Sequence, residues 1–500
     1  MSASNPSKSS LGQNVSRGAA WMSAQVVYIK FLGLLLQLVM AKLLLRDDFG
    51  LYSLALTVYS FAAMFHQAGV LEVLVQRQKS FHIWSGIAFW LSLASGLVAF
   101  GMTVLFAPLA AKFYHYPDPE KLTNLICVMA CIFPIGTLGA VNRAKLQIEM
   151  RFRELAIIGA VTMSVDALLK IYFANQGLGA FSFAYGAIIA NLLNLALCWF
   201  VAPVPIRWRP QFRRWKYLLN DGMMVVGSMF FAWVIEEGDY IVLGRFEAVG
   251  VVGLYFFAFR ISRHVMTLLT LQISKVLLSA LSSLPSDADQ QVNAFIRAAQ
   301  VIAVVCIPVC FAMSAIADPL VRLLFEPRWY DAIQLIQIIC LGMTFRSMSW
   351  PIASLMKAQG RFRTHMLVVG GSLLFFFPLT ILGTVLGSVV GLTIAVSVFY
   401  TFATIVEFAF ALKRPRRLLV DFRDVFLSPL VAGLLAVAVA CAAGYLLVPR
   451  TGLEDVPLYI VQCVVIGTVG AIVYILGIRQ LSPDVFHETI QRIRKLLPGS

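Results

Sequence analysis

Arg260, Arg263, His264, Thr267, Ser274 and Lys275 lie in one long apolar stretch, at spacings that place them within roughly a third of a helix circumference at 100° per residue. The result is a cationic stripe. Guanidinium forks and ammonium point charges in such a row meet phosphate oxygens, so the stripe suits a polyanion. Lys30, between Ser23 and Gln37 at seven-residue spacing, gives a second polar seam, and Arg346 adds a further cation. A short acidic group, Glu236, Glu237 and Asp239, precedes the stripe. Two roles are open to it: neutralising Arg260 and Arg263, or binding a driving proton or sodium ion.

These charges stand out because of what surrounds them. The 500 residues are 60% hydrophobic and 13% charged, with a mean hydropathy of +0.82. Soluble domains carry about 25% charged residues, so a soluble core is excluded. Crossing about 30 Å of hydrocarbon takes about 20 apolar residues in a helix. Fourteen stretches meet that demand, near 18–45, 49–75, 83–110, 122–141, 155–174, 179–202, 219–243, 249–281, 298–324, 330–356, 364–385, 388–412, 426–448 and 457–478. The run 430–447 is apolar at every position, which a barrel strand with its polar alternation is not. The expected fold is all-α: a polytopic membrane protein of about fourteen transmembrane helices.

Placement of the basic residues gives the orientation. With the amino terminus inside, the inner connectors hold 26 of the 40 Lys and Arg and the outer connectors 7, the other 7 falling within spans. This bias puts both termini in the cytoplasm. The first 17 residues are polar, the first span is longer than a leader's apolar core, and no cleaved leader is expected. At the other end Phe486, Ile490, Ile493 and Leu497 beside Arg492, Arg494 and Lys495 suggest a short amphipathic helix on the inner leaflet. His66, Glu72, Asp166, Lys170 and Glu407 lie nearer span ends, where snorkelling to the interface explains them as well as a wet cavity or a charged partner does.

Familiar catalytic signatures are missing. The sequence has no Walker phosphate loop, HExxH or GxSxG. The eight cysteines all fall inside spans and none forms a CxxC; Cys127 with Cys131 and Cys306 with Cys310 share helix faces, but no His or carboxylate completes a metal set. No metal and no cofactor is expected, and energy for any transport would come from a proton or sodium gradient.

Gly-Leu-Tyr-x-x-Ala occurs twice, at Gly50 to Ala55 and at Gly253 to Ala258, each time at the start of the second span of a six-span set. Two pseudo-symmetric six-helix lobes are therefore expected, with two further helices at the carboxyl end. The divisions are a cytoplasmic segment 1–17, an N-lobe 18–205, a basic linker 206–218, a C-lobe 219–412, a basic loop 413–425, a helix pair 426–478 and a tail 479–500. The linker mixes Arg207, Arg209, Arg213 and Arg214 with Trp208, Phe212 and Trp215. Such a mixture suits the headgroup level, where aromatics favour the interface and cations meet membrane lipids; no nucleic acid is expected as a partner.

The stretch Arg143-Ala-Lys-Leu-Gln-Ile-Glu-Met-Arg-Phe-Arg153, the segment 215–244 with Asp239 ahead of Leu243-Gly244-Arg245, the Gly-Leu-Tyr repeats, Glu326-Pro-Arg-Trp329 and Ala358-Gln-Gly-Arg361 together resemble a known family. They are similar to the Wzx-type polysaccharide exporters of the multidrug/oligosaccharidyl-lipid/polysaccharide superfamily, nearest the colanic-acid and teichuronic-acid branch, over nearly the whole chain. The resemblance implies a flippase of the bacterial inner membrane and not an enzyme. Its substrate would be a polyprenyl-pyrophosphate-linked oligosaccharide, moved by alternating access with ion coupling, and a polysaccharide polymerase and glycosyltransferases would be its partners. Lys30, Arg260, Arg263, His264, Lys275 and Arg346 would then line a cationic substrate path, with Glu236, Glu237 and Asp239 as coupling acids. Tyr28, Trp233 and Trp350 are candidates to stack on sugars or, alternatively, to pack against lipid. One departure is Gln67, two before Gly69, where relatives often carry an acid.

Two of three rival functions would each leave a different mark on the sequence. A drug antiporter of the same superfamily would have about twelve spans and an acidic cavity. A membrane-embedded polymerase or ligase would need an extended outer loop, and the longest outer connector here is near 111–121. A lipid II flippase stays open, separable by substrate assay. The orientation itself is testable: reporter fusions near Lys79, Arg214 and Arg416 should read cytoplasmic and those near Asp118 and Asp455 periplasmic, and opposite readings at several sites would overturn it.

Overall fold

The computed structural model describes residues 8–66, 74, 81–204, 212–284, 288–414, 417–447 and 455–486. Among them there is no strand. The long apolar stretches form helices because a helix satisfies every peptide group within its own segment. In order these are α1 (Lys8–Leu43), α2 (Arg46–His66), α3 (Phe81–Phe113), α4 (Pro119–Ala130), α5 (Ile132–Leu138), α6 (Ala140–Ile148), α7 (Phe152–Asn175), α8 (Phe181–Val201), α9 (Phe212–Phe246) and α10 (Val249–Ser283). They continue with α11 (Ala288–Leu324), α12 (Ala332–Arg346), α13 (Ser349–Ala358), α14 (Phe362–Leu412), α15 (Leu418–Ala442) and α16 (Asp455–Leu481). Among the described residues, ten helical stretches are long and apolar enough to cross a membrane.

One of those ten holds two of the expected spans. Within α14, Gly387 and Ser388 leave helical geometry, Ser388 at φ 52°. A Cβ on Gly383 would lie 2.5 Å from the carbonyl oxygen of Gly391. Residues eight apart in a straight helix are about 12 Å apart, so the chain turns back here, glycine against glycine. Elsewhere the expected spans are broken. The span near 122–141 divides at Cys131 and Gly139, and the one near 330–356 at Ser347 and Met348. The basic connector after Arg143 is helical through Ile148, and α9 and α15 begin inside stretches 206–218 and 413–425. Hydropathy does not report these boundaries because amphipathic first and last turns look polar. Most of the tail, 487–500, lies outside the described residues, as does Gln67; Phe486 packs beside Ala432, Tyr474 and Ile478.

The chain forms two compact units, Met1–Gly253 and Leu254–Ser500. In the first, α1 and α8 flank α7, while α2 packs on α3, α4 and α9. In the second, α11 lies against α12, α15 and α16, and α14 against α12 and α13. Phe295, Ile352, Leu355, Phe408 and Phe426 are fully buried in its centre. Lipid tails are as apolar as these side chains, so contacts of close fit rather than release of water hold the helices together. Small residues on α15 provide that fit: Ala432, Ala436 and Ala440 are buried, and Gly433 meets the ring of Phe311.

Each unit repeats the same helix stop. In the first, α6 ends with Met150 left-handed at φ 54°, the Arg151 N–H donating to Leu146 O at 2.9 Å and the Met150 N–H to Gln147 O at 3.1 Å. In the second, α13 ends with Gly360 at φ 68°, Arg361 N–H donating to Met356 O at 2.8 Å and Gly360 N–H to Lys357 O at 2.9 Å. Both are Schellman caps. The arginine after each cap then reaches a helix end 50 residues further on: Arg151 Nη1 donates to Val201 O at 3.3 Å, and Arg361 Nη1 to Ala411 O at 3.0 Å. These last carbonyls have no partner in their own helix, and the guanidinium supplies one.

The glycines that open the two Gly-Leu-Tyr motifs both make close backbone contacts within the first unit. A Cβ on Gly253 would lie 1.9 Å from Arg46 O, and one on Gly50 would lie 2.0 Å from Val249 O. Backbone touches backbone, so no side chain can be admitted without parting the first turns of α2 and α10. Gly50→Ala and Gly253→Ala should each destabilise the protein by about 2 kcal/mol or more, read as a fall in thermal unfolding midpoint in detergent. Alanine tolerated at both sites would show that the helices separate freely.

Candidate functional site

In the first unit the acids of α9 face polar groups of α2. The Thr57 hydroxyl donates to Glu237 Oε2 at 3.2 Å, and Trp233 Nε1 donates to Ser60 Oγ at 2.9 Å. Phe61 lies against the same indole, ring centroids 5.0 Å apart. Asp239 is fully buried, with Oδ1 accepting from the Tyr240 N–H at 2.9 Å, while Glu236 and Glu237 are half-buried. The Gly50–Val249 contact holds α2 near α9, since α10 begins only two residues after α9 ends. Trp233, a candidate for stacking on sugars, is thus half-buried and hydrogen-bonded within the unit, whereas Tyr28 is exposed, its hydroxyl 2.7 Å from Ser164 Oγ.

Of the expected cations, Lys30 is half-buried on α1. In the second unit Arg260 and Arg263 are half-buried one turn apart on α10, and the Arg260 guanidinium lies 5.6 Å from the centroid of the Phe256 ring. Arg346 closes α12 and lies 5.1 Å from the Tyr400 ring centroid. A cation over an aromatic face is attracted by the ring quadrupole, which offsets part of the cost of removing it from water. The backbone at His264 and Lys275 is helical, but their side chains lie outside those described.

Two features correct the expectation of snorkelling. Asp166 and Lys170 form a buried ion pair one turn apart on α7, on the face packed against α8, Nζ donating to Oδ2 at 2.6 Å, with 8% and 14% of the side chains exposed. Gly186 admits them, because a Cβ there would meet Lys170 Cγ at 2.7 Å. Glu407 on α14 is 4% exposed, with Arg346 and Ser349 as polar neighbours; its Oε2 and the Ser349 Oγ are buried without a hydrogen bond among the described atoms. Their places near span ends pointed to the interface, but burial depends on which helix lies alongside. Glu72 and the side chain of His66 lie outside those described. All eight cysteines are free, and the described residues contain no cluster of three or more His, Cys, Asp or Glu able to hold a metal.

Ten apolar helical stretches of this length among the described residues define a multi-pass membrane protein. The profile of the polysaccharide biosynthesis protein family matches residues 39–334. The chain belongs to that family, among the Wzx-type exporters its motifs resemble. Over 415 residues, 81% of this chain and 82% of the relative, it is 23% identical to the lipopolysaccharide biosynthesis protein WzxC of Escherichia coli (strain K12). In structure it is similar to the lipid II flippase MurJ in an inward closed conformation, with a TM-score of 0.74 at 14% identity over 92% of this chain and 99% of that one. A multidrug resistance MATE family transporter of the MOP superfamily, inward-facing, matches at a TM-score of 0.62 and 14% identity, over 78% and 96%. These two matches show the fold.

The buried pair gives a direct test. Asp166→Asn strands the Lys170 ammonium and should cost about 3 kcal/mol, whereas Asp166→Asn with Lys170→Met should recover most of it. Thermal unfolding of the three proteins in one detergent measures this, and equal losses in single and double variants would show that the pair is not coupled.

Proposed function

We propose that the protein is a flippase moving polyprenyl-pyrophosphate-linked oligosaccharide repeat units from the cytoplasmic to the periplasmic leaflet of a bacterial inner membrane, for cell-surface polysaccharide synthesis. Membership of the polysaccharide biosynthesis family carries the reading. The relative WzxC is named for lipopolysaccharide biosynthesis, and the fold is that of known transporters. In this reading the fourteen spans comprise the apolar helices, both halves of α14, and the charged helices α2, α9 and α10. Both termini are cytoplasmic, and a polysaccharide polymerase and glycosyltransferases work alongside.

The chemistry follows from the substrate. Hydrocarbon excludes the pyrophosphate and the sugars, so the protein must offer them a hydrated, cationic path while the polyprenyl tail stays in lipid. Arg260 and Arg263 take the phosphate oxygens in two-point fashion, with Lys30, His264, Lys275 and Arg346 as further cations. Alternating access exposes that path to each leaflet in turn. Asp239, with Glu236 and Glu237, takes up the driving proton or sodium ion; full burial of Asp239 supports this role, because its charge state then has a large effect on packing.

A reconstituted flipping assay in proteoliposomes tests the reading. Arg260→Ala and Arg263→Ala should abolish flipping of a lipid-linked repeat unit in protein that is made and inserted, and Lys at either position should restore only part. Asp239→Asn should remove the response to an imposed gradient. Wild-type flipping by the Arg260→Ala/Arg263→Ala double variant would sink the substrate site, and an intact gradient response in Asp239→Asn the coupling role.

A further inference from the structure

The two Schellman-capped arginines are equivalent in backbone and opposite in electrostatics. In the first unit Arg151 is neutralised: Nε donates to Glu154 Oε1 at 3.1 Å and Nη1 to Glu149 Oε2 at 3.3 Å. In the second unit the positions matching Glu149 and Glu154 are Gln359 and Thr364. Arg361 Nη1 donates to Gln359 Oε1 at 3.0 Å and Nη2 to Phe410 O at 2.6 Å, and its Nε is buried with no hydrogen bond. The two guanidiniums accordingly shift in opposite senses, Arg151 raised by its hydrogen bond to Glu154 and Arg361 lowered by burial.

The residues that follow the clamped helix end differ in the same direction. After α8 come Pro203 and Val204; after α14 come Lys413 and Arg414. Lys413 takes a left-handed conformation at φ 54°, which a lysine adopts at some cost, and it stands exposed beside the clamp. Arg414 is held by Asp289 and by Asn293 Oδ1 at 2.8 Å. Together these groups line a cavity of about 440 Å3 that carries three cations, Arg361, Lys413 and Arg414, against one carboxylate, Asp289. It lies at the ends of three apolar stretches, 289–324, 332–358 and 362–412, which is the level of the lipid headgroups.

We infer that this cavity is a binding site for the phosphate of a bilayer phospholipid with net negative charge, such as phosphatidylglycerol, held by Arg361 and Lys413. A basic pocket between helix ends at the headgroup level meets an anionic headgroup without bringing its acyl chains out of the membrane. The first unit lacks the site because its own glutamates already occupy the arginine. A lipid held here would brace the ends of α11, α13 and α14 in the second unit, on protein groups separate from the proposed substrate cations of α10.

Native mass spectrometry of the purified full-length protein, titrated with phosphatidylglycerol, provides the test. Gln359→Glu is nearly isosteric and restores the carboxylate found in the first unit, and Lys413→Gln removes an exposed charge, so both should fold with an unchanged unfolding midpoint in lipid-free detergent. Each should weaken binding of phosphatidylglycerol about fivefold or more. Arg153→Gln, in the other unit, should leave it unchanged. Binding equal to wild type in both Gln359→Glu and Lys413→Gln would overturn the site. Equal affinity for zwitterionic phosphatidylethanolamine would overturn its selectivity for net charge. Displacement of the lipid by inorganic phosphate or glycerol 3-phosphate at like concentration would overturn the assignment to a lipid in favour of a soluble phosphate, and displacement by a polyprenyl pyrophosphate would overturn it in favour of the transported substrate.

Discussion

A peptide group without a hydrogen-bond partner in hydrocarbon costs several kcal/mol, and this constraint governs the rest of the structure. It makes the described apolar stretches helices. It also dictates how helices stop, because the last carbonyls of each must find donors outside their own helix. Arg151 and Arg361 meet that need in the same way, each placed by a Schellman cap and each bonded to carbonyls of the helix that returns beside it. A basic residue near a membrane face thus serves backbone satisfaction as well as orientation.

Close approach of backbones is the second requirement, since helices in lipid gain little from apolar burial and must gain from fit. The glycines at the Gly50–Val249, Gly253–Arg46 and Gly383–Gly391 contacts meet this requirement. Each lies where the chain reverses or where two first turns touch. Many described Ser and Thr hydroxyls inside the helices donate to their own backbone, as Thr380 does to Phe376 O and Thr393 to Val389 O, which leaves them only as acceptors for other groups.

Against this background the ionisable groups separate by function. Those in closed pairs, Asp166 with Lys170 or Arg322 with Asp318 at 2.7 Å, join successive turns of one helix. Those over aromatic rings, Arg260 at Phe256 and Arg346 at Tyr400, gain attraction from the ring quadrupole instead. The same sequence motif, Arg-Phe-Arg at 151–153 and at 361–363, serves as a neutral clamp in one unit and as part of a cationic cavity in the other. Two nearby glutamates make the difference.

The sequence by itself determined that the chain lives in a membrane, because length and hydropathy alone decide whether a segment can cross hydrocarbon. It also disclosed the Gly-Leu-Tyr repeat and the family, whose motifs are contiguous in the chain. What it left undecided were quantities that depend on neighbours distant in sequence. Glu407 and Asp166 read as interfacial from their positions, yet the helices beside them bury both. The reversal at Gly387 and Ser388, the breaks at Cys131 and Met348, and the clamp from Arg361 to Ala411 are likewise invisible to a hydropathy sum. A sum over a window counts how apolar a segment is, whereas burial, hydrogen bonding and charge pairing are set by which segments the fold brings side by side.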